Sequence, residues 1–192
     1  MEKLHNFDEV FDGQKVFRKL LEAMSNPGRW VSIAAQSEKM YGENKDFLAI
    51  AMTLIDNEMS FNTCDNTKLE KDISLLTLSG KEELAEADFI FVESEDMLKA
   101  VFSKAKCGTL EDPQKSATIL MKINTNKKEK ISLYGAGIDE IIDIEAPNVV
   151  NRALELRKEQ GYEYPQGVDM IFINENSELL AIPRLVMKKE EA

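Results

Sequence analysis

Residues 164–184 read YPQGVDMIFINENSELLAIPR, and the rest of the chain can be organised around them. Pro165, Gln166 and Gly167 end whatever precedes, and 168–173 is then apolar at every position except Asp169. A strand apolar on both sides needs cover on both sides. Residues 174–178 form a polar connector, after which Leu179, Leu180, Ala181 and Ile182 resume the apolar run until Pro183 stops it. The pattern predicts two antiparallel strands joined by a short loop and buried in a larger sheet. Asp169, near the start of the first strand, and Arg184, just past the end of the second, fall at the same end of such a hairpin, so they can meet. Two readings stay open: a structural ion pair or backbone hydrogen bond, and a ligand-facing role.

A length of 192 residues fits a single domain over 1–192. The 43% hydrophobic and 31% charged content is that of a globular protein. A net charge of -11 argues against gripping a phosphate backbone, so no nucleic acid is expected as a partner. Cys64 and Cys107 lie far apart and outside any CxxC spacing, which indicates neither a zinc site nor a disulfide scaffold. The one histidine, His5, sits near a terminus expected to be mobile, which removes histidine triads and His-rich metal sites, so no metal is expected. No apolar run approaches the roughly 20 residues of a membrane span, and residues 1–13 lack a signal-peptide core; a cytoplasmic protein without a membrane partner is expected.

Along the chain, Asp12 can cap a helix with Phe17, Leu20, Leu21 and Met24 as its inward stripe, broken by Ser25, Asn26, Pro27 and Gly28. A short strand at 29–34 contains Trp30, read as packing at a domain or subunit surface rather than as a base-stacking platform. Residues 46–55 form a helix apolar all round, which belongs in the interior or against a partner. Thr67 and Glu70 have capping-box spacing for a helix over 68–78. Residues 89–92 are a second doubly covered strand, and Ser94 can cap the helix carrying Met97, Leu98, Val101 and Phe102. Residues 117–123 alternate as a strand, the lysine-bearing tract 124–130 is an exposed connector, and 131–134 returns as the partner strand. Gly135, Ala136 and Gly137 follow. They lack the full GxGxxG, so a bulge or a close backbone approach stands beside an anion-cradling loop. A helix from Pro147 to Gly161 carries Val150, Ala153, Leu154 and Arg157 at helical spacing. Together these predict an α/β fold, a single layered domain with a mixed β-sheet flanked by helices.

Three blocks then resemble one family. FRKLLEAMSNPG from Phe17, LYGAGI from Leu133 and YPQGVDMIFINENSELLAIPR from Tyr164 look like the PhnH family of the bacterial carbon-phosphorus lyase system, and GTLEDPQKSATILMKI from Gly108 is similar to its mid-chain turn and strand. The resemblance implies a fold like the large domain of pyridoxal-phosphate-dependent transferases without the cofactor. It also implies a homodimer that assembles with the companion PhnG, PhnI and PhnJ subunits. That machinery attaches a phosphonate to the ribose of ATP, yielding a ribose 1-phosphonate 5-triphosphate.

Asp169 can imitate the carboxylate of a pyridoxal site, but no lysine is expected within a core strand or tight turn, so no cofactor is expected. Two classes of function lead, beside a free-standing small-molecule enzyme whose resemblance to the family is only architectural. One is an accessory subunit without catalytic residues of its own, within a transferase complex. The other holds ATP or an alkylphosphonate. Its candidates are Arg18, Arg29 and Arg184, as guanidinium forks near turns, the loop from Gly135 to Gly137, and Asp169 beside Arg184.

Overall fold

Strands apolar at consecutive positions are stable only when layers cover both of their faces. The computed structural model, which describes residues 5–125 and 128–190, has that arrangement. Its first half runs α1 (Phe11–Ser25), β1 (Trp30–Ser32), α2 (Ala34–Ser37), α3 (Lys45–Leu54), β2 (Ser60–Asn62), α4 (Thr67–Thr77), β3 (Gly80–Lys81), β4 (Phe89–Val92) and α5 (Leu98–Lys104). There follow β5 (Thr118–Lys122), β6 (Lys128–Gly135), β7 (Ile142–Pro147), α6 (Asn148–Glu159), β8 (Asp169–Ile173), β9 (Glu178–Ile182) and β10 (Val186–Lys188). A seven-stranded sheet has the order β1-β9-β8-β5-β4-β2-β3, and a second sheet of three strands has the order β10-β6-β7.

From β8 to β3 the large sheet is parallel, while β9 and β1 add to it antiparallel. The β8–β9 hairpin is as expected, with Met170 opposite Ile182 and Ile173 opposite Leu179, and all five residues of β8 are buried. Side chains sort by the strand period of two. Ile90, Ile119, Met121, Met170, Phe172, Leu180 and Ile182 face α5, α6 and the inner side of the small sheet. Phe91, Leu120, Ile171, Ile173, Leu179 and Ala181 face α1, α3 and α4. Phe47 on α3 meets Phe91 edge to face, with ring centroids 5.2 Å apart.

Several expectations change. Residues 131–134 do not pair with β5, which lies between β4 and β8 and has no free edge to offer; they belong to β6, which pairs with β7 and β10 in the second sheet. Of the connector expected over 124–130, residues 128–130 already belong to β6, and 126 and 127 lie outside the described residues. The inward face of α1 is Gly13, Val16, Leu20 and Ala23, whereas Phe17 and Leu21 are 50% and 55% exposed. Asp12 is buried inside the first turn, where its carboxylate accepts from Lys39 Nζ at 2.7 Å, and Asp8 Oδ1 accepts the amides of Val10 and Phe11 in the capping role. The cap of α4 is Asn66, one residue before Thr67. His5 is held in place by a backbone bridge to Met40. The apolar α3 is largely interior, with every residue from Asp46 to Ala51 buried and its last turn, Met52 to Leu54, partly exposed.

Candidate functional site

The open end of the β8–β9 hairpin gathers two of the charged residues buried among the described residues, Asp169 and Arg157, beside the partly buried Arg184. Asp169 Oδ1 accepts the backbone N–H of Arg184 at 2.8 Å, and Oδ2 accepts Arg184 Nη2 at 2.9 Å. Arg184 Nη1 donates to the carbonyl of Pro113, tying the hairpin to the 108–116 turn. The side chains are 11% and 21% exposed. The ion pair and the backbone hydrogen bond therefore occur together in one carboxylate, and both partners are committed to the fold.

In the last turn of α6, Arg157 belongs to the helix's buried stripe with Val150, Ala153 and Leu154. Nη1 donates to the carbonyls of Val168 at 3.3 Å and Pro183 at 3.1 Å, and Nη2 to that of Val186. Removal from water lowers its pKa to about 10, opposed by Asp169 and Tyr162. It stays protonated at neutral pH. Burial likewise pushes the Tyr162 phenol up to about 12.

A cleft of about 510 Å³ opens beside these residues, bordered by Gly135, Arg157, Lys158, Tyr164, Arg184 and Met187 among others. A second, longer groove of about 1250 Å³ runs between β6 and α6, and shares Arg157, Lys158 and Met187 with the first. The first volume lies within the range of small-molecule sites.

Of the six sequence candidates, Arg184 and Gly135 border this cleft and Asp169 stands behind Arg184. The other three lie elsewhere. Arg18 is exposed on α1, Arg29 reaches Glu22 at 3.6 Å, and Gly137 packs against Pro27. Gly135 fits the close-approach reading: at φ +127° a Cβ there would stand 2.2 Å from the carbonyl oxygen of Leu185. The amide of Ala136 donates to that same carbonyl at 3.3 Å. The loop's geometry thus serves the join between β6 and β10.

Arg157 was not a sequence candidate. Its signal was a cation occupying an apolar stripe at helical spacing. Contrary to expectation, a lysine does end a core strand. Lys122 on β5 donates to the carbonyl of Glu43 at 2.9 Å and to Asn44 Oδ1, and its amine lies 5.2 Å from the Phe47 ring centre. Those contacts tie the amine to the start of α3. Cys64 and Cys107 are free thiols, and burial, aided by Asp65, pushes Cys64 up to about 11. Among the described residues, no three His, Cys, Asp or Glu side chains converge as a metal-holding group, and no helix is long and apolar enough to cross a membrane.

Fold and site together define a layered α/β protein whose charged core residues cross-link strands around a cation-bordered cleft. The chain belongs to the family described as "Bacterial phosphonate metabolism protein (PhnH)", whose model matches residues 5–187. The three sequence blocks had pointed to this family. Among its relatives, the "Putative C-P lyase subunit protein HtxG" of Stutzerimonas stutzeri is 26% identical over 172 residues, covering 89% of this chain and 83% of that protein. The "Alpha-D-ribose 1-methylphosphonate 5-triphosphate synthase subunit PhnH" of Rhizobium meliloti (strain 1021) is 26% identical over 191 residues, covering 96% and 94%.

Proposed function

We propose that this chain is an accessory subunit of a carbon-phosphorus lyase assembly, supporting the formation of ribose 1-phosphonate 5-triphosphate from ATP and a phosphonate. In this reading it works in the cytoplasm, forms a homodimer and docks companions of the PhnG, PhnI and PhnJ type. The outward face of α1 carries the proposal. Val10, Phe11, Phe17 and Leu21 are between 50% and 72% exposed there, although the helix is otherwise packed on the sheet. Val10, Phe17, Leu21 and Met24 recur at steps of seven, four and three, the spacing of a helix-pairing seam. Apolar groups concentrated on one exposed helix face mark an interaction surface. Arg18, a ligand candidate from the sequence, stands beside that seam and is assigned to the docking surface.

The test is a Phe17→Glu, Leu21→Glu double variant, coexpressed with the companion subunits and followed by affinity copurification and sedimentation. The expected result is a well-folded chain, by circular dichroism, that loses self-association or its companions. A variant that dimerises and copurifies as before overturns the proposal.

The cleft at Arg157 favours a second reading, a subunit that also holds a ligand. The seven-stranded sheet with helices on both faces is compatible with the expected kinship to the large domain of pyridoxal-phosphate-dependent transferases. Superposition on a solved member of that class tests this.

A further inference from the structure

Buried ionised groups are ordinarily matched by an opposite charge. The nearby charge of Asp169 acts on Arg157, but its oxygens are bonded to Arg184, and among the described residues no carboxylate is bonded to Arg157, which is only 4% exposed and hydrogen-bonded to carbonyls alone. Carbonyl dipoles fill hydrogen-bond sites without cancelling the charge. The cleft beside it is bordered by Arg157, Lys158 and Arg184, and among the described residues no Asp or Glu borders it, in a chain of net charge -11. Among the described residues, no protein acceptor meets the Nε–H of Arg157.

The end of α6 also lies at this cleft, and bare helix carbonyls there would oppose an anion. Three of the last four are occupied: Leu156 O accepts from Gln160 Nε2, Arg157 O from the Gln160 amide, and Lys158 O from the Gly161 amide. Lys158 is paired with Glu190, but both side chains are largely exposed, and such a pair is readily exchanged for another anion. Tyr164 is 80% exposed and Met187 43% exposed on the same border, so the cleft has apolar walls as well as a positive floor.

We propose that this cleft binds a small organic oxyanion, of carboxylate or phosphate type, that carries an apolar or aromatic body. Arg157 and Lys158 receive the anionic group, and Tyr164 and Met187 contact the body. Both halves are needed for recognition, since an aromatic without charge leaves Arg157 unmatched. The proposal stands apart from the docking surface on α1, whose residues do not border the cleft.

Phenyl phosphate and benzoate, with phenol as the neutral control, are titrated into the full chain while NMR follows Arg157 Nε–H and the aromatic resonances of Tyr162 and Tyr164. Either anion is expected to shift these signals saturably, less so at high salt, with phenol leaving Arg157 unmoved. A response to phenyl phosphate alone assigns a phosphate-type ligand, and a response to benzoate alone a carboxylate. Arg157→Ala removes a cross-link of the fold, so the exposed Lys158→Ala and Tyr164→Ala variants carry the test. Each is expected to weaken binding about fivefold or more without altering the thermal midpoint. Absence of saturable shifts at tens of millimolar ligand overturns the proposal. So do equal effects of phenol, or affinities unchanged in both variants.

Discussion

Asp169 and Arg184 show how one carboxylate can fix the end of a hairpin. The strand period puts Asp169 at the start of β8, and the hairpin returns Arg184 to it after the five residues of β9. Both Asp169 oxygens are then used by the same residue, one by backbone and one by side chain. Arg184→Ala would leave a mostly buried carboxylate without its cation and release the Pro113 carbonyl, a loss of about 1–3 kcal/mol after allowing for partial exposure. Asp169→Asn keeps an acceptor for the Arg184 amide and is expected to cost about 1 kcal/mol. Urea unfolding of the two variants tests the ranking; a smaller loss for Arg184→Ala than for Asp169→Asn would show that the pair does not hold the hairpin end. The contact was legible because both residues interrupt apolar runs at positions that a hairpin superposes. The role of Arg157 was less legible, because its partners are main-chain carbonyls from three separate stretches, and no side-chain pattern marks those.

At the scale of the element, α1 separates bulk from burial. The spacing suggested Phe17, Leu20, Leu21 and Met24 as the core face; Leu20 is buried and Met24 partly so, but Phe17 and Leu21 are exposed and Gly13, Val16 and Ala23 complete the buried side. The physical reason is proximity: α1 packs on β9, β1 and α3, and small side chains let the helix axis approach them. Sequence periodicity allowed two adjacent apolar stripes and could not rank them. Leu20→Ala is therefore expected to destabilise by about 2–4 kcal/mol, while Phe17→Ala in the isolated chain stays within roughly 0.5 kcal/mol of the parent. Chemical denaturation of both single variants checks this. Equal losses would place Phe17 in the core and remove the docking face. By contrast, β4 and β8 were readable from their own residues, because an unbroken apolar run fixes burial without reference to neighbours. The partner of β6 was not readable. Strand pairing depends on which edges are free, and that is set by β4 and β8 enclosing β5.

Across the whole molecule, two sheets raise the question of whether the chain unfolds in one step or two. The packing favours one. Ile131 and Leu133 from β6, Ala146 from β7 and Val186 from β10 lie in the same buried cluster as Ile119, Met121, Met170 and Phe172 of the large sheet. Val149, Val150, Ala153 and Leu154 of α6 belong to that cluster too, so the small sheet, the helix and the large sheet share one interior. Arg157 adds polar links, joining α6 to the carbonyls of Val168 and Val186 at once. We therefore propose that 1–192 behaves as a single cooperative domain, as chains with one shared core do. Trp30, on β1 of the large sheet and packed against this cluster, offers a fluorescence probe. Far-UV dichroism and Trp30 fluorescence should give coincident urea midpoints. Leu133→Ala, by cutting the shared core from the small-sheet side, should lower the hydrogen-exchange protection of β5 and β8 amides as much as that of β6. Loss of protection confined to β6, β7 and β10 would mean that the small sheet opens by itself and that the shared cluster does not couple the two layers.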